Sequence, residues 1–214
     1  MHRIQAIICY VGGSGGDFLK TLCLQQFKTD IKLEHNVTDT GLVLHNRRYF
    51  KDITLDYCNT KIVPEVFDWS QVDPVENSHH YFDWFTTLAE KFYYIDFPES
   101  SAIGIIDVYV SKRHQSNLTQ FIEAHKQTLP PWAQQRITEH NARQIFSSMW
   151  VKQMRIWKTM PNMNAIALSD FFNRQKLIAI VQQLTQRPVQ DFDRFDQTFT
   201  TWTEKNKVLR NLVC

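Results

Sequence analysis

The chain has 214 residues, of which 43% are apolar and 21% charged, and a formal net charge of +2. That composition belongs to a globular protein of ordinary domain size and excludes the disordered class. The charge is too small to argue for nucleic acid by itself, and no apolar run approaches the roughly 20 residues a membrane helix needs.

Residues 4–11 (IQAIICYV) are nearly continuous in hydrophobicity and rich in β-branched and aromatic side chains. This predicts a strand covered on both faces. The run is too short for a secretory signal and lacks a small-residue cleavage site. Residues 17–27 (DFLKTLCLQQF) place apolar side chains at Phe18, Leu19, Leu22, Cys23 and Phe27, which is helical spacing, with Asp17 suited to the N-terminus. Between 31 and 65 three short strands are expected, in IKLEHNV, GLVLHNRRYF and TKIVPEV. The stretch 72–92 starts as a loop and is expected to become a helix over 81–91. Two further strands are expected over 92–97 (FYYIDF) and 102–110 (AIGIIDVYV). Residues 117–129 read as a helix ended by Pro130 and Pro131. A long amphipathic helix then runs from Trp132 to Met160, with Arg143, Lys152, Arg155 and Lys158 on or near its polar side. A last strand is expected over 164–169, followed by helices over 174–186 and 191–211.

The order of these elements predicts one α/β domain over 1–214: a three-layer arrangement with a mostly parallel central sheet and a helical C-terminal third. The four cysteines, Cys9, Cys23, Cys58 and Cys214, form no C-x-x-C pair and fit no zinc spacing. Cys9 and Cys23 in apolar surroundings read as reduced thiols, and the expected location is cytoplasmic.

Four of the six glycines, Gly12, Gly13, Gly15 and Gly16, fall within five residues. They join the first strand to the first helix. Unpaired amides at a helix start, with the helix dipole, attract anions, and glycine lets the backbone come close. Phosphate or sulfate recognition is therefore expected there, against the alternative of a glycine turn capped by Ser14 or Asp17. Neither G-x-x-x-x-G-K-[ST] nor G-x-G-x-x-G fits the stretch.

The stretch Val-Gly-Gly-Ser14-Gly15-Gly-Asp-Phe18-Leu19 resembles the phosphosulfate-binding loop of the sulfotransferase family, Y-P-K-S-G-T-T-W-L. Ser14, Gly15 and Leu19 match, and Phe18 replaces a tryptophan. Gly13 stands where the family has lysine, and Gly16 and Asp17 where it has threonines. The likeness covers about nine residues and implies a P-loop-like fold that binds the donor PAPS (3′-phosphoadenylyl sulfate). Gly12, Gly13, Ser14, Gly15, Gly16 and Asp17 would line the phosphosulfate, and Phe18 would contact the adenine. The family's catalytic histidine lies roughly sixty residues beyond its loop, which implies His79 or His80 as the base, with Glu76 to orient the ring. The family's 3′-phosphate segment, I-Y-V-x-R, is similar to Val108-Tyr109-Val110-Ser111-Lys112, so Lys112 and Arg113 would meet the 3′-phosphate. The implied reaction moves a sulfuryl group from PAPS to a small-molecule or glycan acceptor, without a metal. The alternatives are a binding protein without turnover, a nucleotide-dependent phosphotransferase, and a structural or interaction protein that uses the basic helix as its face. Asp191, Asp193 and Asp196 read as the acidic first turn of a helix.

Overall fold

Residues 4–26, 75–78 and 89–214 are described by a computed structural model, and every element named below lies among them. Strand β1 (Ile4–Cys9) is the expected first strand. It pairs in parallel with β2 (Val75–Ser78) on one side and β3 (Ala89–Asp96) on the other. On its far side β3 pairs in parallel with β4 (Met163–Ala167), giving the order β2-β1-β3-β4. Both inner strands are apolar because both their faces are covered: Ala6, Ile7, Ile8, Cys9, Phe92, Tyr93, Tyr94 and Ile95 are all buried.

Strand β2 corrects the loop expected at 72–80, since its four residues VENS carry little strand propensity and are held by backbone pairing to β1. The start of β3 likewise replaces the end of the helix expected over 81–91. The short strands expected between 31 and 65, the rest of that helix, His79, His80 and Cys58 lie outside the described residues.

Helix α1 (Gly16–Leu24) follows β1 directly. The segment expected as a strand at 102–110 is instead helix α2 (Ala102–His114), entered through a 3₁₀ turn at Glu99–Ser101. Its β-branched residues satisfy two periods at once. Buried Ala102 and Ile105 join the core under the sheet, while Ile106 and Val110 join a second cluster with Phe121, Leu129, Ala133, Ala142 and Phe146. A strand would divide the segment by odd and even positions, whereas Ala102 and Ile105 share one cluster and Ile106 and Val110 the other, the three- and four-residue spacing of a helix.

Helix α3 (Leu118–His125) is capped by Asn117, whose side chain accepts from the Gln120 amide. The single helix expected from 132 to 160 is two, α4 (Pro131–Arg136) and α5 (Ala142–Thr159). Asn141 ends the first by accepting from the Thr138 amide at 2.8 Å and donating to the Arg136 carbonyl at 2.9 Å. After β4 come α6 (Arg174–Thr185), α7 (Phe192–Lys205) and α8 (Lys207–Val213). Asp191 caps α7 at the Arg194 amide. Helix α6 packs on α1 and β1, and α5 packs on α2, β3 and β4. None of the described helices is long and apolar enough to cross a membrane.

Candidate functional site around the glycine loop

The loop leaves the C-terminal end of β1 as a tight turn. The Val11 carbonyl accepts from the Ser14 amide at 3.2 Å and from the Ser14 hydroxyl at 2.7 Å. Gly13, the third residue of that turn, has φ +81°, a type II geometry that excludes most side chains. Gly15 is left-handed at φ 82° and ψ 15° and is the residue before α1, and no side chain caps the helix there. The capping role expected of Ser14 or Asp17 is therefore not taken: Ser14 is fully buried and its hydroxyl is turned back to Val11. Asp17 accepts from the Tyr10 hydroxyl at 3.1 Å, its carboxylate in the first turn, where the helix dipole favours it.

The protein's own rings press on the loop. A Cβ on Gly16 would lie 2.2 Å from the Tyr10 ring. One on Gly12 would lie 3.2 Å from the Tyr109 ring and 3.4 Å from Trp150, and one on Gly15 would lie 3.2 Å from both Phe171 and Trp202. Part of the glycine concentration thus serves close packing within the chain.

Two expected contacts are corrected by burial. Phe18 is 1% exposed and its ring stacks on Trp202 with centroids 4.1 Å apart and planes 5° apart, so it is core and its face is covered. Lys112 lies in the last turn of α2, not at a strand end, and its Nζ donates to the Lys205 carbonyl at 2.9 Å and to the Asn206 side chain. Burial, with the nearby Lys205 charge, brings its pKa down to about 8. It ties the α7–α8 junction to α2.

Arg113, one residue on and about 100° around the helix, faces another way. Its charge favours ionisation of Tyr10 and Tyr109 and disfavours protonation of His114 and His125. These groups gather beside the loop. Tyr109 is flanked in edge-on contacts by His114, Phe121, His125 and Trp150, at centroid distances of 5.9, 5.9, 5.7 and 6.0 Å. His125 Nδ1 lies 2.9 Å from the Phe121 carbonyl, which only accepts, so Nδ1 carries the proton. Its Nε2 then accepts from the Tyr109 hydroxyl at 3.2 Å. His114 is buried with no hydrogen-bond partner on Nε2 among the described residues, and its ring lies 5.4 Å from that of His125.

Reading 102–110 as a strand hid this cluster. The usable signal was the i, i+4 pairing of Tyr109 with Arg113 and of Phe121 with His125, which puts each pair on one helix face.

Burial lowers both histidines from the ordinary 6.5, with His125 and then Arg113 adding to the effect on His114, and Arg113 adding to it on His125 against the opposing Phe121 carbonyl. Below about 6.5 the unfolded chain then binds more protons than the folded one, so this contribution is whole above that pH and is lost as pH falls through the folded values. Urea midpoints are expected to fall between about pH 6.5 and 5, above the carboxylate range, and less steeply in His114→Phe. Identical slopes in the two proteins would refute the assignment.

The basic face of α5 is largely neutralised within the chain. Arg143 pairs with Asp107, Arg155 with Glu99, and Lys158 with Asp96. The Asp191–Asp196 cluster divides between the α7 cap and an Asp196–Arg174 ion pair at 2.5 Å. Burial raises the Cys9 thiol to about 12 and the Cys23 thiol further still, which makes both unreactive. Compared with protein-family models, with curated proteins and with solved structures, the chain matches none of them.

Proposed function

We propose that this chain is a P-loop-like, sulfotransferase-like protein that holds the phosphosulfate end of a PAPS-type donor at residues 12–17. It would transfer the sulfuryl group to a hydroxyl or amine of a small-molecule or glycan acceptor. The observation that carries the reading is the glycine-lined start of α1, without a side-chain cap, at the end of the central strand β1. The chain steps from β1 to β2 on one side and continues through β3 to β4 on the other, and ligands of open parallel sheets sit at such a switch. Right-handed crossovers in the two directions would set their helices on opposite faces, which is the three-layer arrangement.

The donor fits these residues in part. Backbone amides of the loop suit an anion, and the charge of Arg113 acts on Tyr10 and Tyr109, which pack against that loop. Phe18 and Lys112 are engaged elsewhere, and among the described residues the partly exposed Trp150 beside Gly12 is a ring that would suit a base. On the resemblance alone, the base would be His79 or His80.

A second reading, a binding protein without turnover, draws on Gly13 in place of the loop lysine and on the Asp17 carboxylate held at the loop by Tyr10. Thermal shifts with PAPS, its 3′,5′-bisphosphate product, ATP and sulfate test both. The bisphosphate is expected to stabilise the protein by about 2.7 kcal/mol at a hundredfold excess over Kd, and Arg113→Ala to lose most of that. No shift with the bisphosphate overturns the proposal. Stabilisation by magnesium-ATP alone selects a phosphotransferase, and binding with no transfer to any acceptor selects the second reading.

A further inference from the structure

We infer that the Tyr109 hydroxyl, backed by His125, is the proton-transfer group of the glycine-loop site, in place of His79 or His80. The inference rests on the reading of that loop as the donor's anion site. Its ground is geometric. The end of the Tyr109 ring that bears the hydroxyl lies against Gly12, where a Cβ would come within 3.3 Å of Cζ. The same hydroxyl is 3.2 Å from His125 Nε2, and the Phe121 carbonyl at 2.9 Å from Nδ1 holds that imidazole with Nε2 as acceptor. Tyr109, His125 and Trp150 are all only partly buried, so the pair is not sealed within the core.

The groups around this pair set its charge. On α2 they are Arg113 and His114, on α3 His125 itself, and from the loop side Tyr10 and Asp17. Burial holds the Tyr109 phenol protonated and the His125 ring neutral near pH 7. This is the state that transfer needs: an O–H that can accept one proton as it gives up another, and an unprotonated Nε2 that accepts from it.

In the step, the acceptor oxygen bonds to sulfur, and the bond from sulfur to the 5′-phosphate oxygen breaks, the electron pair staying on the leaving bisphosphate. The acceptor proton passes to the Tyr109 oxygen, and the phenolic proton passes to His125 Nε2. The resulting imidazolium stays bonded to the Phe121 carbonyl and returns its proton to water after product leaves. Tyr109 would be the catalytic residue and His125 the positioning residue that receives the proton.

The test uses the full-length protein, Tyr109→Phe and His125→Gln. The bisphosphate Kd is expected to stay within about threefold in both variants, because loop amides and Arg113 hold the phosphates. Transfer from PAPS to the acceptor that wild type uses best is expected to fall about 100-fold or more in Tyr109→Phe. The wild-type rate should lose activity toward acid below about pH 6.5, and His125→Gln should lack that limb. Independently of turnover, the His125 ring titration followed by NMR should move upward when the bisphosphate binds. If the bisphosphate does not bind wild type, the loop reading falls and this inference with it. If it binds but the His125 titration stays put, or transfer in Tyr109→Phe is within twofold of wild type or absent from both, this inference alone is overturned.

Discussion

Gly16→Ala is expected to lower stability by about 3 kcal/mol, the upper end of what one added carbon costs in a packed interior. The added Cβ would sit 2.2 Å from Cγ of Tyr10, the root of the ring rather than a mobile tip. Tyr10 is 3% exposed, and its hydroxyl is bound to Asp17, so the ring cannot swing aside without breaking that bond. At this chain length the loss corresponds to a melting temperature lower by roughly 6–12 °C. Gly104→Ala is the control. Its Cβ would meet the terminal carbons of Leu212 at 2.6 and 2.8 Å, and these can rotate. The gain in helix propensity, about 1 kcal/mol, offsets much of that contact. Urea unfolding of the two variants side by side measures the difference. Equal losses would mean that Tyr10 is not fixed under the loop.

Trp202→Ala is expected to cost about 3–5 kcal/mol, as aromatic truncations in a core do. Trp202 is 3% exposed and stacks on Phe18, and its ring also meets Phe171 at 6.2 Å and Phe172 at 5.1 Å. It therefore joins α7 to α1 and to the 3₁₀ segment Leu168–Phe172. It is also one wall of the Gly15 turn. The expected signature is loss of near-ultraviolet aromatic dichroism together with the lower urea midpoint. Phe18→Leu separates two roles for its neighbour. A buried stacking ring predicts lower stability with bisphosphate affinity unchanged among folded molecules. An adenine contact predicts the reverse, and that outcome would overturn the buried placement of Phe18.

The strands legible in the chain were those with no second option. Residues 6–9 and 92–95 are buried on both faces, and short, β-branched and aromatic runs of that kind suit a sheet covered on both sides. The amphipathic helices α3, α5, α6 and α7 were legible because each has one wet and one dry side. The stretch 102–110 was not. Its β-branched residues fit a period of two and a period near four equally well, and the choice fell to two separate clusters lying on adjacent stripes of the segment. Residues 75–78 were illegible for the opposite reason: their side chains say little, and β1 supplies the partner.

The site divides in the same way. The glycine loop, its place after a buried strand and its tight turn follow from local backbone preference, and neighbours four residues apart in one helix are equally local. Sequence by itself therefore determined the loop, the helix that starts from it and the likeness to a phosphosulfate loop. Only the tertiary structure decided that Phe18 is walled in by Trp202, that Lys112 reaches the α7–α8 junction, and that Tyr109 meets His125. Those contacts join residues up to 184 positions apart. Their geometry depends on how helices cross over a sheet, and no periodicity within one segment encodes that angle.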